Sequence, residues 1–376
     1  MDANLTNEQK LQYLLDTHGI RLQRGALFDQ CVHPKTDTFD FRRIEGMLLG
    51  VAIGDALGIT TESMLAADRR AEYGELRDYV PCPEIGDFLG YPSDDTQLTF
   101  WTLEQLIADG AFIPERVAKR FTNGDHIIGI GRTTRGFIKR FKRRIPWYQS
   151  GLQSAGNGAL MRITPIILPH LRTGGTALWA DTALAAMMTH NDRAANSTCL
   201  AFVAMLWELL DCTQVPDAHW WVDRYVALAQ DLEGETTYTP RGGRYSHETG
   251  PLWQFIATHV PEAYRRNESV EQACNAWHSG AFLLETWPSV LYILMRYAHD
   301  PEEALVRAVN DTRDNDSIAA IVGAALGALY GRDAFPQRWV HNLSGQTKVY
   351  GDAGRVFELI AQAKAQFGSS FGLPND

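Results

Sequence analysis

The chain has 376 residues and a formal charge of −10, from 35 basic and 45 acidic side chains. Apolar residues make up 45% and charged residues 21%, which fits a globular chain with a large core and excludes a disordered or fibrous protein. The acid excess speaks against a general binder of nucleic acid or anionic membrane, whose affinity comes from cationic neutralisation.

The first residues, MDANLTNEQK, are polar and lack the apolar core of a signal peptide. Leu11, Leu14 and Leu15 sit at i, i+3, i+4, with Thr6 or Asn7 to cap and Gly19 to stop, which predicts one short amphipathic helix. The stretch from there to Asp40 has no clear period. Residues 1–42 therefore read as an N-terminal extension, either a helix packed on the body or an arm reaching a partner. Residues 43–376 read as one main domain, since no linker divides them. From Phe41 onward the pattern is helical nearly throughout, with helices expected at Arg43–Leu57, Thr96–Asp109, Pro114–Asn123, Thr133–Phe141, Ala177–Met188, Ala194–Leu210, Ala218–Asp231, Gly250–Tyr264, Val270–Ala276, Thr286–Tyr297, Pro301–Asn310, Ser317–Tyr330 and Phe335–Asn342. Room for short strands exists only near Ile163–Leu168 or Thr236–Thr239. An all-α fold of many short helices follows. Gly234–Gly250, rich in Gly, Thr, Pro and Arg, reads as a long surface loop.

Five cysteines, Cys31, Cys82, Cys199, Cys212 and Cys274, are widely spaced with no CxxC pair, and read as reduced thiols. No uncharged apolar run reaches the roughly 18 residues of a membrane span. The nearest, Gly46–Ile59, contains Asp55. A cytoplasmic protein without a membrane partner is expected.

Gly46, Gly50, Gly54 and Gly58 recur every fourth residue, which leaves one helix face bare for close approach of another backbone. Each glycine costs that helix roughly 1 kcal/mol relative to Ala, so a close contact must offset it. Asp55 and Glu62 interrupt and follow this apolar stretch. Ser93-Asp94-Asp95-Thr96 and Asp314-Asn315-Asp316-Ser317 each open a helix. One Ser or Asp is enough for a cap, while adjacent carboxylates repel unless a cation lies between them. Two such clusters, all oxygen donors, can converge on hard divalent cations. Gly156-Asn157-Gly158 can form a turn whose backbone N–H groups hold a phosphate, with glycine permitting positive φ. His190 follows a predicted helix. Arg132, Arg135, Lys139, Arg140, Lys142, Arg143 and Arg144 concentrate positive charge on another. That run reads as a solvated face, as a contact surface for a modified protein or diphosphate, or as a nucleic-acid site, the last disfavoured by the overall charge.

The segments GVAIGDALGITTE (50–62), SDDTQ (93–97), GNGALMRITP (156–165), TH (189–190) and DNDSIAAIVGAALGALYG (314–331) occur in one order. The set resembles the ADP-ribosylglycohydrolase family, from about Arg43 to Gly331. The resemblance implies a compact multi-helix domain with a cleft holding two Mg²⁺ or Mn²⁺ ions. It implies cleavage of the glycosidic bond between ADP-ribose and a protein side chain, with arginine favoured over serine. Matched motif by motif, Ser93, Asp94, Asp95, Asp314, Asp316 and Ser317 are the expected metal ligands. Asp94, Asp95 and Glu62 are the expected catalytic carboxylates, and Gly156, Asn157, Gly158 and His190 the substrate contacts. Arg313 departs from the family pattern, which carries Gly there. An ADP-ribosylated protein is the expected partner, and protection against an ADP-ribosylating toxin a further expected role. The alternative is a non-catalytic blocker of the transferase acting through residues 1–42.

Overall fold

The structure is a computed structural model and describes residues 4–81, 88–349, 351–369 and 371. Its α-helices run in chain order as α1 (Asn7–Asp16), α2 (Arg42–Gly58), α3 (Ala66–Tyr73), α4 (Asp94–Asp109), α5 (Pro114–Phe121), α6 (Arg132–Lys142), α7 (Trp147–Ser150), α8 (Ala177–Met187), α9 (Arg193–Leu209), α10 (Trp220–Glu233), α11 (Leu252–Arg265), α12 (Val270–Ala276), α13 (Leu283–Tyr297), α14 (Pro301–Asp311), α15 (Asn315–Tyr330), α16 (Gln337–Asn342) and α17 (Arg355–Ala363). The fold is all-α, and among the described residues β pairing is confined to isolated bridges. Each helix expected from the sequence is present. The two possible strands are not. Thr164–His170, which holds Pro165 and Pro169, is a 3₁₀ helix, and Tyr238 pairs singly with Gly250. Helices α3, α7 and α17 are additional to those expected, although α17 carries an apolar stripe of Val356, Leu359, Ile360 and Ala363.

At the centre α2 and α15 pack antiparallel, and the glycine row explains how. A Cβ on Gly50 would lie 2.1 Å from the Gly323 carbonyl oxygen, and one on Gly54 would lie 2.2 Å from that of Ala319. A Cβ on Gly327 would meet the Gly46 oxygen at 2.1 Å, so the bare faces are reciprocal. Backbone meets backbone along the pair, and both helices are buried nearly end to end. With its following turn, α2 is long and apolar enough to cross a membrane by length and composition, more so than the sequence reading allowed. Here it is a core helix.

The segment set apart in the sequence as an extension shares this core. Leu11, Leu14, Ile20, Leu22, Leu27, Phe28, Phe39 and Phe41 are buried in the same apolar cluster as α2 and α15. Helix α1 packs on α8, where Asn7 Nδ2 donates to Asp181 Oδ1 at 2.6 Å. Further on, Lys35 is buried against α9, its ammonium donating to the Trp207 carbonyl at 2.9 Å and to Asp211 at 2.7 Å. Cys31, Cys199, Cys212 and Cys274 are free thiols, and Cys82 lies outside the described residues.

Candidate active site

Three helix ends converge on one point. Asp55, from the last turns of α2, is fully buried and reaches the N-terminus of α4. Its carboxylate accepts from Ser93 N (2.8 Å), Ser93 Oγ (2.8 Å), Thr96 N (3.0 Å) and Thr96 Oγ1 (2.6 Å). The cap of α4 is thus supplied from another helix, and Ser93 makes no side-chain cap of its own. Its hydroxyl hydrogen is directed to Asp55 instead. Burial raises the Asp55 pKa even against these four hydrogen bonds.

The first turns of α4 and α15 bring Asp95, Asp314 and Asp316 to the same place. Carboxylate oxygens of Asp55, Asp95 and Asp316 lie within 4.8 Å of one another, as do those of Glu62, Asp314 and Asp316. Asp316 belongs to both groups. Asp95 Oδ1 and Asp316 Oδ1 are buried with no hydrogen-bond partner. Burial first, and the neighbouring carboxylates second, push Asp94 up to about 8 and Asp314 up to about 7. The same causes raise Asp95 and Asp316 far above the usual carboxylate range. Orphaned buried oxygens among converging like charges are what a hard divalent cation satisfies, so the residues present fit a metal centre. Ser317 Oγ donates to Asp95 Oδ2 at 3.2 Å, adding a hydroxyl at the same floor.

Above the acids lies a cavity of about 230 Å³. Asp94, Asp95, Asp314, Asp316 and Ser317 line it, with Glu62 exposed at its edge. Gly156, Asn157, Gly158 and His190 form another wall, so the sequence motifs meet here, apart from Ser93, which sits behind the lining. Asn157 Nδ2 donates to Asp314 Oδ2 at 2.5 Å and to Thr286 Oγ1 at 3.1 Å, which fixes the α15 acid loop to α13. Neither Gly156 nor Gly158 has positive φ, so the expected phosphate-holding turn is not formed through that conformation. Their small size serves His190 instead: a Cβ on Gly158 would lie 2.8 Å from the imidazole Cε1.

His190 is held from behind. Arg162, fully buried, donates to Thr189 Oγ1 at 2.8 Å, and Thr189 Oγ1 lies 2.9 Å from His190 Nδ1. Arginine only donates, which leaves the threonine hydroxyl hydrogen free to be given to Nδ1. In that arrangement the ring's own hydrogen is on Nε2, at the cavity. Burial, then the Arg162 charge, lower the His190 pKa to about 3, so the ring is neutral.

Other residues of the site were missed by sequence reasoning. Arg241, from the loop read as surface, lines the cavity with Phe282. Its guanidinium forks onto Glu285 of α13, with contacts of 3.0 and 2.6 Å, and lies 5.3 Å from the Phe282 ring. The signal available was a lone Arg before Gly-Gly, which is weak. Thr133 and Thr134 line the same cavity at the start of α6, beside Arg132, which the sequence had already offered as a possible contact for a diphosphate. Beneath Asp314, His278 and Ser279 hold φ of 77° and 45°, in the left-handed region. That turn aims the Ser279 carbonyl at the Asp314 N–H (3.0 Å), so local strain helps hold the acid loop. Arg313 has ordinary negative φ, so the residue replacing the family's Gly needs no special backbone angle.

A profile of the ADP-ribosylglycohydrolase family matches residues 36–366, a range that begins within the N-terminal extension of residues 1–42. The chain is 26% identical over 308 residues to the ADP-ribosyl-[dinitrogen reductase] glycohydrolase of Rhodospirillum rubrum, covering 80% of this chain and 90% of that protein. It is 24% identical over 331 residues to the ADP-ribosylarginine hydrolase Tri1 of Pseudomonas putida, covering 85% and 79%. A solved structure described as an ADP-ribosylglycohydrolase-related protein complex superposes with a TM-score of 0.63 at 24% identity, covering 89% of this chain and 100% of that one. With the profile spanning both acid clusters, the chain belongs to the ADP-ribosylglycohydrolase family and is an enzyme that hydrolyses ADP-ribose linkages.

Proposed function

We propose that the protein removes ADP-ribose from modified side chains of proteins, arginine linkages first, with two divalent cations, Mg²⁺ or Mn²⁺. One observation carries this reading. Two carboxylate groups sharing Asp316, with unpartnered buried oxygens, form the floor of a cavity rimmed by Arg132 and Arg241. A floor of acids suits cations and sugar hydroxyls, and a rim of arginines suits a diphosphate. The name of the Pseudomonas relative supports the arginine linkage.

When bound, the cations would polarise the sugar and lower the pKa of a nearby water. Asp55, Asp95 and Asp316 would hold one, and Glu62, Asp314 and Asp316 the other. Asp94, expected from the sequence both as ligand and as catalyst, lines the cavity outside these two groups, where with cations bound to offset the charges that raise its pKa it would orient a water and take its proton. Asn157 keeps Asp314 in place. The Nε2–H of His190 donates to a ligand oxygen, and Arg132 and Arg241 face the diphosphate.

The test incubates arginine- and serine-ADP-ribosylated peptides with the protein, with Mg²⁺, Mn²⁺ or EDTA, and weighs released ADP-ribose. Release from the arginine peptide with cation, and its loss in Asp95→Ala and Asp316→Ala, are expected. Full activity of either variant, or undiminished activity in EDTA, overturns the metal reading. Reversing a toxin's modification is one role this chemistry would serve. The blocking alternative requires a free arm, and the burial of Leu11, Leu14 and Phe28 in the core favours hydrolysis over it. Free thiols at the four described cysteines support a cytoplasmic setting.

A further inference from the structure

Helix α6 begins at the cavity and leads away from it. Arg132, its first residue, lines the cavity, while Arg135, Lys139 and Lys142 follow at i+3, i+7 and i+10. All four are exposed, and the opposite face buries Thr134 and Phe137. The four cations form one stripe about 15 Å long at 1.5 Å per residue, extended by exposed Arg143 and Arg144.

The helix dipole favours Lys139 and Lys142 in the last turn but does not account for Arg132 and Arg135 or for the repulsion along the stripe. Like charges at i,i+3 and i,i+4 each destabilise a helix by about 0.2–0.5 kcal/mol. A cation at the first position also opposes the helix dipole, and no acid occupies the first turn. Among the described residues, none of the seven cations from Arg132 to Arg144 has a carboxylate within 4.0 Å. Elsewhere on this acidic protein exposed arginines are mostly paired, as Arg70 is with Glu271 and Arg77 with Glu303. Beside the stripe a groove of about 910 Å³ is lined by Arg21, Arg140, Arg193 and His18, with no Asp or Glu in its wall.

We propose that the exposed cationic stripe of α6 and the adjoining groove form the docking surface for an acidic segment of the ADP-ribosylated protein, next to its modified residue. This rests on the hydrolase reading above. With ADP-ribose in the cavity, the acceptor chain must stand over the mouth, where α6 starts. Continuity with that mouth and the −10 charge of the whole chain favour an acidic polypeptide over nucleic acid, whose dense phosphates the rest of the surface repels.

The experiment uses the full chain with Mg²⁺ and two ADP-ribosylated peptides that differ only in flanks, four Glu or four Lys. At low salt kcat/KM for the Glu peptide should exceed that for the Lys peptide at least about tenfold, with the gap closing as salt rises. The triple variant Lys139→Glu/Lys142→Glu/Arg143→Glu should erase the preference through KM, with hydrolysis of a single ADP-ribosylated amino acid unchanged. Equal kcat/KM for both peptides overturns the proposal. So does an equal loss on both peptides and the amino acid. If neither peptide is cleaved, the hydrolase reading has failed, and docking is decided by fluorescence anisotropy of the same peptides. Preferential, salt-sensitive binding of the Glu peptide upholds it, and equal binding sinks it. Displacement of the Glu peptide by an oligonucleotide at lower concentration than by polyglutamate assigns the surface to nucleic acid and overturns it.

Discussion

Gly58 sits directly on the backbone of Asp316, so closely that a Cβ on Gly58 would lie 2.4 Å from the Asp316 Cα. The last glycine of the row on α2 therefore sets how near α2 comes to the first turn of α15. That approach is what puts Asp55 beside Asp316. Gly58→Ala should force the two apart. We expect a loss of about 1–3 kcal/mol from overpacking, read by denaturant unfolding, and a larger proportional loss of cation affinity, read by calorimetry. Unchanged cation affinity in a destabilised variant would separate packing from the site and contradict the link.

The carboxylate cluster predicts an unusual pH response when cations are removed. Asp94 is raised from 3.8 to about 8, and Asp314 from 3.8 to about 7. A carboxyl with a raised folded pKa binds its proton more tightly in the folded state. Its stabilising contribution is present below the unfolded value and lost as pH rises through the folded one. In EDTA the melting temperature should fall as pH rises through about 7 and 8. Excess Mg²⁺ or Mn²⁺ should abolish that fall. A melting temperature in EDTA that climbs over the same range would contradict the clustering.

His190 should stay neutral across the working pH range, with hydrogen on Nε2 and a bare Nδ1. Nitrogen NMR of the imidazole reads both points directly. Thr189→Val removes the hydroxyl that fixes the tautomer, while Thr189→Ser keeps it. We expect KM for the ADP-ribosylated peptide to rise several-fold in the Val variant, about 1 kcal/mol for one lost hydrogen bond, and to recover in the Ser variant. A His190 signal showing protonated Nδ1 in the wild type would refute the relay from Arg162.

Arg241→Ala leaves Glu285 buried without its fork, since the Glu285 side chain is 0% exposed and the arginine half-exposed. Loss of a charged hydrogen-bonded partner is expected to destabilise the fold by about 1–3 kcal/mol and to raise KM through the missing positive rim. Arg241→Ala/Glu285→Gln should recover stability and leave KM high. Recovery of both together would show that Arg241 acts only on the fold.

Much of this site could be read from the chain. Asp94, Asp95, Asp314, Asp316 and Ser317 line the same cavity, and they stood out because adjacent acids at a helix start exceed what capping needs. Asp55 and Arg241 were harder. Asp55 caps a helix whose N-cap, Ser93, lies 38 residues later, and no local pattern announces a cap supplied from outside. Arg241 lies in a loop with no period at all. Gly158 was read as a backbone device for phosphate, whereas its neighbour is the His190 ring, a contact that exists only once distant segments meet.

The all-α class, the bare glycine face and the all-oxygen donor set of the two acid clusters were legible in the chain alone. These are local properties: periodicity, residue size and donor type are written within a turn or two of helix. It took the tertiary structure to show which acids come together, that Leu11, Leu14, Phe28 and Phe39 of the N-terminal extension are buried in the common core, and that Arg162 and Thr189 stand behind His190. Each of those depends on packing between segments far apart in the chain. Scattered residues such as Leu22, Phe28 and Phe39 carry no period, and burial alone reveals what they do.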